Sequence, residues 1–180
     1  QAVEHGAAVL VVDDRYVIGS RSGPVILTEH MKVDVHELIR DRNICVVTVR
    51  DTRKALSALS AAFFDHPAER MKMIGITGTN GKTTTAFLTA GILQEAGYRI
   101  GMIGTIESYD GRRRETVKNT TPESCEIHRL LSRMVENECD CWVMEVSSQG
   151  IALQRTADVF FDIGVFLNIE PDHIGKGEHA

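Results

Sequence analysis

Apolar positions along the chain follow two different rhythms, and the change between them falls near residue 70. In the first part, Ala7 to Val12 and Ile44 to Val49 are continuous apolar runs of strand length. Runs of that length, rich in Val and Ile, predict strands covered on both faces. Gln1 to Gly6 reads as the last turns of a helix with a glycine stop, so the natural start of the protein is expected upstream. Between the two runs lies a Gly/Ser/Pro-containing stretch from Gly19 to Pro24. Asp51-Thr52 then caps a helix whose apolar residues Ala55, Leu56, Leu59, Ala62 and Phe63 recur at helical spacing. Pro67 closes that helix, and the segment 66–70 is the expected domain boundary.

From Lys72 onward the rhythm becomes strand, then helix, repeated. Met73 to Thr77 predicts a strand, Lys82 to Ala96 a helix stopped by Gly97, and Ile100 to Gly104 a second strand. A polar loop from Ser108 to Thr121 precedes a helix opening at Pro122 and Glu123. Trp142 to Val146 and Phe161 to Ile169 predict two more strands. Buried strands alternating with helices imply a parallel sheet with crossover helices, the doubly wound α/β class. Ligands of such sheets sit at the carboxyl ends of the strands. No internal repeat or low-complexity tract interrupts this plan.

Composition narrows the function. With 43% hydrophobic and 25% charged residues in 180, the chain has the make-up of a soluble globular protein. A formal charge of -5 leaves no cationic excess to neutralise a phosphate backbone, and the one basic run is Arg112-Arg113-Arg114, so nucleic acid is not an expected partner. No stretch approaches the roughly 18 apolar residues of a membrane span, and the opening residues lack a signal-peptide plan, so no membrane partner is expected. Cys45, Cys125, Cys139 and Cys141 show no paired CxxC spacing, which fits a reducing, cytoplasmic location.

The sharpest chemical signal is Gly75-Ile-Thr-Gly78-Thr79-Asn80-Gly81-Lys82-Thr83-Thr84, lying between a predicted strand and a predicted helix. Glycines let the backbone turn its N–H groups onto phosphate oxygens, and the helix start adds partial positive charge. Lys82 would serve the β- and γ-phosphates and the Thr83 hydroxyl a Mg²⁺ ion, which makes ATP with Mg²⁺ the expected cofactor pair. Ile76 stands where the strict P-loop pattern has its first glycine. The expected architecture is therefore an incomplete, parallel-sheet P-loop domain over 69–180, preceded by part of a smaller α/β domain over 1–68. Glu145, at the carboxyl end of its strand, is placed where a carboxylate can reach a metal held against the phosphates.

Gly78-Thr79-Asn80-Gly81-Lys82-Thr83-Thr84 resembles the loop of the Mur ligase superfamily, which includes folylpolyglutamate synthases and cyanophycin synthetases. Asn119-Thr120-Thr121-Pro122, Glu145-Val146-Ser147-Ser148-Gln149-Gly150 with Arg155, and Asn168-Ile-Glu-Pro-Asp172-His173 follow in the order and approximate spacing of the MurE type. Asp51-Thr-Arg53-Lys-Ala-Leu56 resembles the end of that type's first domain. The resemblance implies an ATP-dependent ligase that phosphorylates the terminal carboxylate of a UDP-MurNAc-dipeptide and joins it to the amine of an amino acid. It implies Lys82, Glu145 and His173 as catalytic, and Thr83, Glu145 and His173 as metal-holding. It also implies Asn119, Thr120, Thr121, Ser147 and Arg155 as contacts to the UDP-sugar peptide, with Asn168 facing the same cleft. Thr120 to Glu123 would equally serve as a helix N-cap with Pro at the first turn. Gln149 stands where a His is common and Leu153 where some members have Gln, so neither is carried over. A monomer is expected, and the 180-residue chain alone is expected to turn over little or no substrate, because the family's carbamylated Lys and amino-acid-binding domain would follow Ala180. The competing expectations are another ligase of the superfamily, or a nucleotide-binding module without chemistry.

Overall fold

The computed structural model describes residues 5–13, 17–20, 23–26 and 45–171. The chain divides into two compact units, Gln1–Ala55 and Leu56–Ala180, at a point ahead of the 66–70 stretch. In the first unit, β1 (Val9–Asp13) and β4 (Cys45–Val49) pair in parallel from Val9↔Cys45 to Asp13↔Val49. Both were expected. The Gly/Ser/Pro stretch is more regular than its composition suggests, because β2 (Val17–Ser20) and β3 (Gly23–Ile26) form an antiparallel pair with Pro24 opposite Gly19. A two-stranded ribbon leaves one side of each strand unpaired, where proline's missing N–H costs nothing.

Helix α1 (Thr52–Phe63) starts where Asp51 directs: its Oδ1 accepts the N–H groups of Arg53 at 2.9 Å and Lys54 at 3.1 Å. The face it buries is not the apolar stripe. Ser57, Ser60 and Ala61 are buried, while Leu56, Leu59 and Phe63 are exposed. Small side chains permit close approach, and the polar atoms on this face are satisfied locally. Ser57 Oγ accepts the Asp158 N–H at 3.1 Å, and Ser60 Oγ donates to the Leu56 carbonyl at 2.7 Å. A short 3₁₀ turn, Pro67–Arg70, follows.

The second unit has the expected rhythm: β5 (Lys72–Thr77), α2 (Lys82–Glu95), β6 (Ile100–Ile103), α3 (Ser124–Glu136), β9 (Cys141–Glu145), a short α4 (Ser148–Ala152) and β10 (Ile163–Phe166). With β7 (Ser108–Tyr109) and β8 (Arg114–Glu115), among the described residues they build a six-stranded sheet in the order β10-β5-β9-β6-β7-β8. The first four strands are parallel. The remaining two lie within the segment expected as a polar loop. β7 extends the sheet antiparallel to β6, and β8 pairs antiparallel with β7. Asp110 makes this possible by closing the hairpin turn: its Oδ1 accepts the N–H groups of Arg112 at 3.0 Å and Arg113 at 2.7 Å, and Oδ2 pairs with Arg133 of α3. Two-residue strands dominated by polar side chains carry no periodicity to read.

Side chains of the central strands alternate between two cores, as the two-residue period of a strand requires. Trp142 and Met144 join Met73, Ile103 and the α3 residues Ile127, Leu130, Leu131 and Met134 on one face. Cys141 and Val143 join Ile76, Ile100, Met102 and the α2 residues Ala86 and Ala90 on the other. β5 lies between β9 and β10, so the carboxyl ends of all three strands converge at the turn leading into α2.

Candidate active site at the phosphate loop

That turn is the glycine-rich segment. Gly78 has φ 148° and Gly81 φ 86°, conformations that a residue with a Cβ rarely adopts. Gly81 is also the N-cap of α2 and supplies no side chain to the first helical amides, leaving the positive end of the helix open to an anion. Lys82 folds back over the loop, its Nζ donating to the carbonyls of Gly78 at 2.6 Å and Thr79 at 3.0 Å. The loop is held from the β10 side. Asn168 grips the backbone of Asn80 twice, its Oδ1 accepting the Asn80 N–H at 2.9 Å and its Nδ2 donating to the Asn80 carbonyl at 3.1 Å. Thr79 donates its N–H to the Asn168 carbonyl at 3.1 Å, and its hydroxyl accepts the Glu170 N–H at 2.9 Å. Asn168, expected in the cleft, thus shapes the loop directly.

Glu145 is 1% exposed at the end of β9, and the described residues give its carboxylate no Lys or Arg partner. Its Oε2 instead accepts the hydroxyls of Thr83 at 2.8 Å and Thr105 at 3.0 Å, and its Oε1 accepts the Thr105 N–H at 2.8 Å. A buried carboxylate beside a hydroxyl at a helix start is a donor set that suits a hard divalent cation, and the open amides and Lys82 suit the phosphates it would accompany. Among the described residues no group of three or more His, Cys, Asp or Glu is placed to hold a metal ion, and His173, the third expected metal residue, lies outside the described residues.

The remaining expected residues separate by position. A cavity of about 230 Å³ is lined by Gly78, Thr79, Lys82, Thr120, Ser147, Ser148 and Asn168. The structure therefore brings the phosphate loop, Thr120 and Ser147 to one cleft. Thr121 is fully buried behind it: its hydroxyl donates to the Glu145 carbonyl at 3.1 Å and accepts from Ser147 N–H at 2.9 Å and Ser147 Oγ at 3.1 Å. Ser147 in turn caps α4, accepting the Gly150 N–H at 3.0 Å. Arg155 is largely enclosed, donating to the Thr121 carbonyl at 3.0 Å and pairing with Glu123 at 2.6 Å. Asn119 borders a neighbouring cavity of about 360 Å³ with Lys118 and Glu123. Thr84 is exposed on the first turn of α2. Thr105 went unnoticed in the sequence. The signal for it was the Gly104-Thr105 pair directly after an apolar strand, at the same sheet edge as the phosphate loop.

A parallel sheet whose central strand runs into a glycine nest and a helix start, with an acidic strand end beside the first helical hydroxyl, defines a P-loop α/β domain. More narrowly, the chain belongs to the Mur ligase family, since the family description "Mur ligase middle domain" matches residues 76–179. It is 42% identical over 165 residues to UDP-N-acetylmuramoyl-L-alanyl-D-glutamate--2,6-diaminopimelate ligase of Clostridium perfringens, covering 91% of this chain and 33% of that protein. It is 43% identical over 135 residues to UDP-N-acetylmuramoyl-L-alanyl-D-glutamate--L-lysine ligase of Enterococcus faecalis, covering 74% of this chain and 27% of that protein. A solved structure of a UDP-N-acetylmuramoyl-L-alanyl-D-glutamate--2,6-diaminopimelate ligase shares the fold with a TM-score of 0.59 at 22% identity, over 73% of this chain and 27% of that one. The chain spans about a third of the length of the curated relatives it matches.

Proposed function

We propose that this chain is the nucleotide-binding part of a cytoplasmic, monomeric ligase that adds an amino acid to UDP-N-acetylmuramoyl-L-Ala-D-Glu at the expense of ATP, in peptidoglycan synthesis. In this reading residues 1–68 belong to a UDP-substrate domain and 69–180 to the central ATP-binding domain. The single observation that carries it is a strand-end cleft lined by Lys82, Thr120 and Ser147, with Thr120 in contact through Thr105 with the Glu145 carboxylate that holds Thr83.

The chemistry joins two reactants that repel each other. A substrate carboxylate must attack an anionic phosphate before an amine can attack the activated acyl group, so the site has to neutralise charge and align the two. Lys82 leaves the Gly78 and Thr79 carbonyls to pair with the transferring phosphate. The amides at the start of α2 hold the same phosphates by their N–H groups. Thr83 and Glu145, joined by His173, would hold Mg²⁺, which supplies charge neutralisation when bound. Thr120, Ser147 and Asn119 orient the muramoyl peptide, while Thr121 keeps Glu145 and Ser147 in place. Arg155 reaches the peptide carboxylate by exchanging Glu123 for it.

The relatives named for diaminopimelate and for lysine match this chain about equally, which supports an amino-acid choice made outside it. The test is direct. The full-length protein, given ATP, Mg²⁺ and UDP-MurNAc-L-Ala-D-Glu, forms a tripeptide product and phosphate with diaminopimelate or with lysine. Absence of product with both amino acids would overturn the reading.

A further inference from the structure

We propose that Thr105, with Gly104 beside it, is a positioning residue that aims the Glu145 carboxylate and couples it to Thr120; this rests on the function proposed above.

Glu145 is held by neighbours rather than by a counter-charge. Of the three hydrogen bonds its carboxylate accepts among the described residues, two come from Thr105, through the backbone N–H to Oε1 at 2.8 Å and through the hydroxyl to Oε2 at 3.0 Å. The third comes from Thr83 at 2.8 Å. Thr105 therefore fixes both oxygens of a side chain that has three rotatable bonds of its own. The carboxylate can lie there only because residue 104 is glycine. A Cβ at Gly104 would stand 2.4 Å from Oε1. Gly104 is not in the left-handed region, so its backbone does not call for glycine; the space taken by Glu145 does. The Gly104 N–H donates to the Glu107 carbonyl at 3.1 Å, closing the turn that presents Thr105.

The Thr105 hydroxyl also lies 3.0 Å from the Thr120 hydroxyl. A hydroxyl has one proton to give. Thr105 gives its proton to the Glu145 carboxylate, so Thr120 must donate to Thr105, and the chain Thr120→Thr105→Glu145 has one direction. Thr120 lines the cleft, and Glu145, buried at the end of β9, is reached from it through Thr105. Engagement of the Thr120 hydroxyl by a substrate oxygen withdraws its proton from Thr105 and frees Thr105 to rotate, altering the hold on Glu145. Metal affinity at Glu145 and contact at Thr120 are thereby linked through one oxygen atom.

The test reads binding rather than turnover, on the full-length protein, by calorimetric titration of the ATP analogue AMP-PNP with excess MgCl₂ or with EDTA. The metal-dependent gain in affinity is the measured quantity. T105V keeps the backbone N–H but removes the hydroxyl, and is expected to cut that gain about tenfold, in the range of lost outer contacts to a metal ligand. T105S restores it. G104A, whose added methyl meets only the movable end of Glu145, produces the same loss as T105V while affinity in EDTA stays at the wild-type value. T120V lowers the gain in the wild-type background and has no further effect in T105V. Wild-type metal dependence in T105V, or in G104A shown folded by circular dichroism, overturns the positioning role. An equal effect of T120V in both backgrounds overturns the link. A wild-type protein with no metal-dependent gain at all would instead remove the function on which the proposal stands.

Discussion

Lys82 shows how much one side chain must do in a site that carries few charges. Among the described residues it is the sole Lys or Arg lining the cleft, and it rests on two carbonyl oxygens that a phosphate would replace. Lys82→Ala in the full-length protein is therefore expected to lower the rate of phosphate release from ATP by roughly 10²-fold or more, the scale for losing a group that stabilises developing charge. Retention of turnover in a quenched assay would remove Lys82 from that role. Its place was legible from the sequence because a glycine turn between a strand and a helix has few other uses. Thr105 was not legible in this way. Its importance comes from a contact with Glu145, 40 residues along the chain, that no local pattern records. Thr121, expected as a substrate contact, is instead buried with its hydroxyl bonded inside the protein, to the Glu145 carbonyl and to Ser147.

Among the elements, α3 is the one whose sequence pattern and burial agree most fully. Ile127, Leu130, Leu131 and Met134 recur at helical spacing and are all buried against β9 and its neighbours, while Glu136 is exposed. Leu131→Ala should cost about 2–5 kcal/mol in chemical denaturation, through lost transfer energy and an unfilled cavity. Glu136→Ala should stay within about 0.5 kcal/mol. Equal effects of the two would mean that α3 does not pack as described. Helix α1 makes the opposite point. Its apolar stripe is real in the sequence, but Ser57 and Ser60 lie inward and Leu59 and Phe63 outward. Period identifies a helix; which face is buried depends on what the rest of the chain brings against it. The β7–β8 hairpin escaped notice for a related reason, since Asp110 organises it through bonds to Arg112, Arg113 and Arg133 rather than through apolar alternation.

For the molecule as a whole, two buried titratable groups, His128 and Asp110, contribute to the response to acid. His128 is fully enclosed on α3 with neither ring nitrogen hydrogen-bonded among the described residues, and burial pushes its pKa below the ordinary 6.5, opposed by Asp158 and helped by His66. The unfolded chain then binds a proton at His128 more readily than the folded one, so stability falls as pH drops below about 6.5. Asp110 acts further down. Burial alone would raise its pKa, but the N–H groups of Arg113 and Arg112 and the Arg133 guanidinium hold it below 3.8. Its contribution is present above 3.8 and is lost as pH falls through the lower, folded value. Urea denaturation between pH 7.5 and 5 should show a declining stability that His128→Phe flattens. An unchanged slope in that variant would assign the decline to other groups.

The order of the four parallel strands with α2 and α3, the α/β class, the phosphate loop and the family were all available from residues in a row. Each rests on interactions between near neighbours: the two- and 3.6-residue periods, a glycine that allows a left-handed turn, a lysine at a helix start. The joining of Glu145 to Thr83 and Thr105, the grip of Asn168 on Asn80, the inward serines of α1 and the burial of Thr121 were not. These join positions far apart in the chain, and such contacts exist only after β9 and β10 have settled on either side of β5.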